Sequence, residues 1–262
     1  MKIIFTIFLT VITFSATSTW AATEKKKGHA KIAAPQPTPP SKATLNFCEA
    51  AKNGNLEMME VFLEQGADIN STNCDFLNET PLIHSVQPDY YHLDVFDFLL
   101  SHDASPNLQT PTGTTALMNL VRITSQDSVL TQIPALFEGG AQVDLEDANG
   151  NTALIHAVST LQPDSVYTDE RKIRKSQIIR DLVSVRGADI NHQNKIGMTP
   201  LMIAAQNCGR NTVQLLLELK ADTKISTPTG DTAMTLAAEV ASYESHEGAC
   251  TQSFRMLKAV QN

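Results

Sequence analysis

Histidine is the side chain best suited to proton transfer near neutral pH and a common ligand for zinc. His84 and His156 each stand four residues after a threonine (Thr80 and Thr152), and Asn119 holds the same place after Thr115. Four cysteines, Cys48, Cys74, Cys208 and Cys250, add possible disulfides, metal ligands or nucleophiles. None of these groups falls into a reactive pattern. The chain has no Gly-X-Ser-X-Gly, no His-Glu-X-X-His, no Cys-X-X-Cys and no glycine-rich phosphate loop. Asp and Glu are plentiful but sit at turns and helix ends. The expectation is a protein that is not an enzyme and holds no cofactor and no metal.

The elements that place these residues recur along the chain. A Thr-led helix opening appears as Thr80-Pro81-Leu82, Thr115-Ala116-Leu117, Thr152-Ala153-Leu154, Thr199-Pro200-Leu201 and Thr232-Ala233-Met234, at separations of 35, 37, 47 and 33 residues. A second marker keeps phase with it: Gly66-Ala67-Asp68, Asp103-Ala104-Ser105, Gly140-Ala141-Gln142, Gly187-Ala188-Asp189 and Lys220-Ala221-Asp222. Threonine caps the free N–H groups of a first helix, and proline suits its first turn. Small pairs such as Ala204-Ala205 let neighbouring helices approach closely. A glycine ends the second helix in the left-handed conformation. Asp68-Ile69-Asn70 and Asp189-Ile190-Asn191 then start extended segments, which Gly113, Gly150, Gly197 and Gly230 turn back before the next threonine.

On these two markers, and above all on Thr199-Pro200-Leu201-Met202-Ile203-Ala204-Ala205 and Gly187-Ala188-Asp189-Ile190-Asn191, residues 45–262 resemble ankyrin repeats. The resemblance implies an all-α repeat solenoid of stacked helix-turn-helix units joined by β-hairpin loops. About six units are expected, at 45–79, 80–114, 115–151, 152–198, 199–231 and 232–262, the first and last being divergent caps. The chain departs from the family at the usual histidine after the leucine, where Ile83, Met118, Ile155, Met202 and Thr235 stand. Stacked helices lie about 8–10 Å apart, so His84 and His156, two units apart, are too distant to share one zinc ion. Their row either lines a recognition surface or is hydrogen-bonded inside the stack. Asn70 and Asn78 begin Asn-X-Ser/Thr triplets, but the repeat itself accounts for Asn70, and helix capping accounts for Thr80.

The cysteines fall where units can be stapled. Cys48 belongs to the first helix of the first unit and Cys74 to the loop after that unit. Cys208 and Cys250 each lie between the two helices of adjacent units. The expected bonds are Cys48–Cys74 and Cys208–Cys250, each contributing about 3–4 kcal/mol on a chain-entropy estimate. The competing reading is four free, buried thiols.

Export is the setting in which such bonds form. Lys2, the apolar stretch Ile3–Phe14 and the small residues at Thr19 and Ala21 make residues 1–21 a secretory signal peptide by pattern. No apolar run reaches the roughly 18 residues of a membrane-spanning helix. Residues 22–44, with Lys25-Lys26-Lys27 and Pro35, Pro37, Pro39 and Pro40, form a basic, proline-rich tether. Residues 1–43 carry a net +5, so of the formal net charge of −8 the remaining chain carries −13. An acidic body repels nucleic acid, which is excluded as a partner. The lysines suit weak electrostatic contact with an anionic envelope, although a solvated spacer is the plainer reading. The expected locations are the periplasm or outside the cell, and the expected state is a monomer.

Two surfaces are candidates for a partner protein. The first is the row of hairpin tips with variable residues Phe76, Leu77 and Glu79; Pro111, Thr112 and Thr114; Ala148, Asn149 and Asn151; and Lys195, Ile196 and Met198. The second is the edge where the longer units take their extra residues. It carries all four tyrosines, Tyr90, Tyr91, Tyr167 and Tyr243, and the basic residues Arg171, Lys172, Arg174 and Lys175. The functional expectation is a non-catalytic exported module that binds a partner protein. The alternatives are a secreted effector acting on a host protein, or an accessory factor that helps a periplasmic enzyme in assembly or cofactor loading.

Overall fold

A computed structural model describes residues 39–72, 74, 78–87, 92–123, 125–159, 168–242 and 248–261. The N-terminal segment read as signal and tether therefore lies outside the described residues up to residue 38, as do Phe76, Leu77 and all four tyrosines. Among the described residues the regular structure is entirely helical: α1 (Lys42–Lys52), α2 (Leu56–Glu64), α3 (Pro81–Ser85), α4 (Leu93–Ser101), α5 (Ala116–Leu120), α6 (Val129–Glu138), α7 (Ala153–Val158), α8 (Asp169–Arg180), α9 (Pro200–Gln206), α10 (Arg210–Glu218), α11 (Ala233–Ala241) and α12 (Ala249–Gln261). A π-helical turn, Asp181–Val185, extends α8.

The odd-numbered helices form one row. α3 packs between α1 and α5, α7 between α5 and α9, and α11 against α9. Their partners form a second row, with contacts of α2 to α4, α6 to α8, α8 to α10 and α10 to α12. The reason is capping and apolar spacing. Thr80, Thr115, Thr152, Thr199 and Thr232 each accept a hydrogen bond from the backbone N–H three residues on, at Ile83, Met118, Ile155, Met202 and Thr235 (3.2–3.5 Å). Helices this short would not survive alone, so burial completes them. Leu82, Leu117, Leu154 and Leu201 are within 2% of full burial and form the spine of the core. Ala204 and Ala205 are equally covered, so α9 can lie close to both neighbours.

Consecutive helix pairs are also joined by a polar ladder. Within the first pair the Thr44 hydroxyl accepts the Asp68 N–H (3.0 Å), and between pairs the Asn70 side-chain oxygen accepts the Ser105 N–H (2.8 Å). Asn107 repeats this on Gln142 (2.8 Å), Asp144 on Asp189 (3.2 Å) and Asn191 on Asp222 (2.8 Å). The ladder runs unbroken through the long α7–α8 unit. The left-handed turn that ends the second helix of each pair is occupied by glycine at residues 66, 140 and 187, but also by Asp103 (φ 61°) and Lys220 (φ 71°), which adopt it despite a Cβ. Asn78 (φ 52°) likewise takes the place that glycine holds in the later hairpins.

The cysteines lie in two pairs. Cys48 of α1 is bonded to Cys74, with Cα atoms 5.3 Å apart, and Cys208 is bonded to Cys250 of α12, with Cα atoms 4.3 Å apart. The Lys52 ammonium also donates to the Cys74 carbonyl (3.2 Å), tying the same loop to α1.

Glycine is required at Gly150 for two reasons. Its φ is 76°, and a Cβ there would stand 2.8 Å from the Lys195 nitrogen of the next hairpin. Gly230 has a similar φ of 88° but nothing within 4 Å. Gly230→Ala is therefore expected to cost only the backbone strain, about 1 kcal/mol. Gly150→Ala is expected to cost about 3 kcal/mol or more, because the hairpins must also part. Urea unfolding of the two variants measures the difference, and equal losses would contradict the close hairpin approach.

Candidate protein-binding face

Each hairpin is held by its own first side chain. The Thr110 hydroxyl accepts the Thr114 N–H (3.0 Å), and one Asp147 oxygen accepts the N–H groups of Asn149 and Asn151 (both 2.8 Å). Asn194 accepts from Ile196 (3.2 Å) and Met198 (2.9 Å), and Thr227 accepts from Asp231 (3.0 Å). The tips are then joined to one another. Ala148 donates its N–H to the Thr112 carbonyl (2.8 Å), and Lys195 donates to Asn149 (3.0 Å). Two glutamine amides also bridge hairpins, one at the first of these junctions and one between the 194–198 and 227–231 hairpins. Gln109 donates to Gly113 (2.7 Å) and Glu146 (2.8 Å), and Gln193 donates to Gly197 (2.8 Å) and Ser226 (3.1 Å).

The result is a continuous row of exposed tips: Pro111 and Thr112, Ala148 and Asn149, Lys195 and Ile196. Ile196 is 70% exposed, the largest exposure of any large apolar side chain described. Pro228 and Thr229 extend the row by one hairpin. Sequence reasoning left them out, although Gly230 stands in register with Gly197. The residue just before each threonine behaves differently from the tips. Thr114 and Asn151 are half-buried, and Glu79 and Met198 are buried at 8% each, so those two are not contact residues. They point back under the hairpin: Glu79 accepts from Gln87, and Met198 joins the apolar core. The Lys195 ammonium is already engaged on the Ala148 carbonyl (2.7 Å).

The histidine row faces into the stack. His156 Nε2 lies 3.0 Å from an Asp147 oxygen, which can only accept, so Nε2 carries the proton. His84 Nδ1 is 3.6 Å from the Glu79 carboxylate. Burial pushes the His156 pKa below its ordinary value, and Arg122 adds to this against the opposing attraction of Asp147. For Asp147, burial works against ionisation, but hydrogen bonds from Asn151 and Asn149 and the nearby His156 outweigh it and hold the pKa below the usual carboxylate range. Among the described residues no three His, Cys, Asp or Glu side chains converge as a metal site.

The second surface needs correction. Arg171 is exposed, but Lys172 is half-buried and paired with Asp169 (3.1 Å). Arg174 and Lys175 are buried at 8% and 6%. The helical period explains this. Residues 174, 175, 178 and 179 share the inward face of α8, while 171, 173, 177 and 180 face out. Arg174 is paired with Asp127 ahead of α6, and Arg180 with Glu218 of α10 (2.8 Å), so the positive charge of α8 binds it to its neighbours. The tyrosines assigned to this edge lie outside the described residues.

A family profile described as Ankyrin repeats (3 copies) matches residues 47–131 and 172–248, more than half of the chain. The chain belongs to the ankyrin-repeat family. Solved structures share its fold. The ankyrin repeat domain of Bcl-3, a member of the IkappaB family, is 24% identical over 82% of this chain and 85% of its own, with a TM-score of 0.63. A chain from the complex of the predatory endopeptidase Bd0816 with immunity protein Bd3460, from Bdellovibrio bacteriovorus, is 23% identical over 83% of this chain and 99% of its own, with a TM-score of 0.61. An ankyrin repeat domain from Acinetobacter baumannii AYE is 19% identical over 82% and 97%, with a TM-score of 0.63. No curated protein sequence matches the chain. Ankyrin repeats are protein–protein interaction modules, and the fold is typically a non-catalytic scaffold.

The pKa directions set a pH dependence for the clamp on the 147–151 hairpin. A histidine whose folded pKa lies below its unfolded value is stabilising while neutral, so that contribution is held above about pH 6.5 and lost as the pH falls. Asp147, with a lowered pKa, contributes above its unfolded value of 3.8 and loses that only in stronger acid. The free energy of unfolding is therefore expected to fall between pH 7 and pH 5, and His156→Gln, which keeps a donor without titrating, is expected to flatten the slope. An unchanged slope in the variant would contradict the burial of a neutral His156.

Proposed function

We propose that this chain is an exported, non-catalytic ankyrin-repeat module that binds a partner protein in the periplasm or outside the cell, acting as a monomer through its hairpin tips. The observation that carries this reading is the row of exposed tips joined to one another by backbone hydrogen bonds. A surface held in place before binding loses little conformational entropy when a partner docks. Ile196 supplies an exposed apolar anchor in the same row of tips as Asn149 and Thr112. The export half of the reading rests on the signal pattern of residues 1–21 and on cysteine pairs suited to an oxidising compartment.

A second reading concerns the partner's nature. One structural neighbour belongs to a complex of an endopeptidase with an immunity protein, and it aligns over 99% of its length. By that analogy an enzyme is a candidate class of partner for this chain. The secreted-effector reading has no comparable support.

The test is a pull-down from the cell envelope with the tagged chain beside the triple variant Thr112→Arg, Asn149→Arg and Ile196→Arg. The three positions are exposed, so the variant is expected to keep its unfolding free energy within about 1 kcal/mol. A partner recovered by the wild type and lost by the variant is the expected result. A partner retained by both would move the site off the tips. Adding the module to an enzymatic partner and assaying its activity then separates restraint from simple docking.

A further inference from the structure

We propose that the α1 end of the described stack, the face of α1 and α2 turned away from α3, docks a basic amphipathic helix of a protein partner. This surface is separate from the hairpin tips, so it stands or falls independently of them.

Every inner odd-numbered helix is packed on both sides, whereas α1 has a described helix of that row only on the α3 side. On its other side a groove of about 330 Å³ opens between α1 and α2. Ala50, Met58 and Phe62 form its apolar part, and Asn46, Glu49 and Asn53 its rim. Met58 is 37% exposed, and Val61, one residue before Phe62, is 36% exposed. A groove between two antiparallel helices, open along its length, receives the side-chain ridge of a third helix. Enclosed pockets suit small molecules better. The neighbouring units use the same kind of surface to receive one another.

Charge selects the occupant. Residues 45–114 hold eleven Asp and Glu against the single Lys52, whereas residues 115–262 hold sixteen against thirteen Lys and Arg. Ten of the thirteen net negative charges of residues 45–262 therefore lie in the first two units. Glu49 on the groove rim is exposed, as are Glu57 and Glu64 elsewhere on α2, and none of the three forms an ion pair with Lys or Arg among the described residues. A second copy docked face to face would bring two such rims together, since a two-fold contact sets like against like. Nucleic acid and anionic membrane are repelled for the same reason. A helix with an apolar ridge for Met58 and Phe62 and with Lys or Arg along its flanks satisfies both features.

The probe is a fluorescein-labelled amphipathic helix of leucine and lysine, titrated into the full chain and followed by anisotropy. Saturable binding is expected, weakened about tenfold or more by Met58→Lys and by Glu49→Lys. Glu239→Lys makes the same charge change on α11, far along the stack, and is expected to leave the affinity unchanged, as is Ile196→Arg on the tips. The substituted side chains are at least partly exposed, and matching circular dichroism and unfolding midpoints confirm that each variant folds. Equal weakening by Glu239→Lys would reduce the effect to bulk charge and overturn the proposal, as would the absence of saturable binding. Sedimentation of the unliganded chain as a dimer that Met58→Lys dissociates would overturn it in favour of a second copy.

Discussion

One side-chain oxygen from each unit, placed on a backbone N–H of the next, is the contact on which the rest of the stack depends. Asn70, Asn107, Asp144 and Asn191 supply it in turn. A helix pair of this size cannot bury its apolar faces alone and is stable only against a neighbour. Apolar packing supplies most of that stabilisation but is tolerant of small slips. A hydrogen bond to one particular N–H is not, and at these half-buried to exposed positions each contributes about 0.5–1.5 kcal/mol. The ladder therefore fixes the register in which successive units meet. Inside the first unit, the Thr44 hydroxyl of α1 accepts the Asp68 N–H and ties the turn after α2 to α1, while Asn70 carries the link to the second unit.

Register at the ladder sets geometry at the tips. The Ala148 N–H can reach Thr112, and the Lys195 N–H can reach Asn149, only if the units below are correctly offset. Gly150 admits this approach because it has no side chain to obstruct Lys195. The exposed tips thus inherit the order of the buried stack, which makes them suitable for recognition. The α7–α8 unit absorbs its extra length without disturbing this. Its longer second helix ends in a π-helical turn and packs through the buried Ile178, Ile179 and Leu182, with Arg174 paired to Asp127 ahead of α6 and Arg180 to Glu218 of α10. The uneven charge adds a second level of organisation, with an acidic first third and a nearly balanced remainder.

The fold was legible because its determinants are local. Each threonine that opens a helix and each glycine that turns a hairpin acts within a few residues, so the two markers could be followed in phase. The exposed tip positions followed from the same register. Residues whose setting depends on another unit were not legible. Glu79 and Met198 look variable and tip-like, yet they fold under the hairpin, Glu79 onto Gln87 and Met198 into the core. Arg174 and Lys175 look like a basic surface run, but the phase of α8 against α6 turns them inward. Asn78 gave no glycine signal although it occupies a glycine position.

The described helices form one continuous array through the α7–α8 unit, joined by the ladder on both sides of it. Hydrogen exchange of the native chain, read amide by amide, tests it most directly. The account predicts that the rung amides of Ser105, Gln142, Asp189 and Asp222, and the tip amides of Ala148 and Lys195, are protected on both sides of that unit to a similar degree. Rapid exchange at Asp189 and Lys195 alongside protected flanking units would show two separately opening blocks and would contradict it.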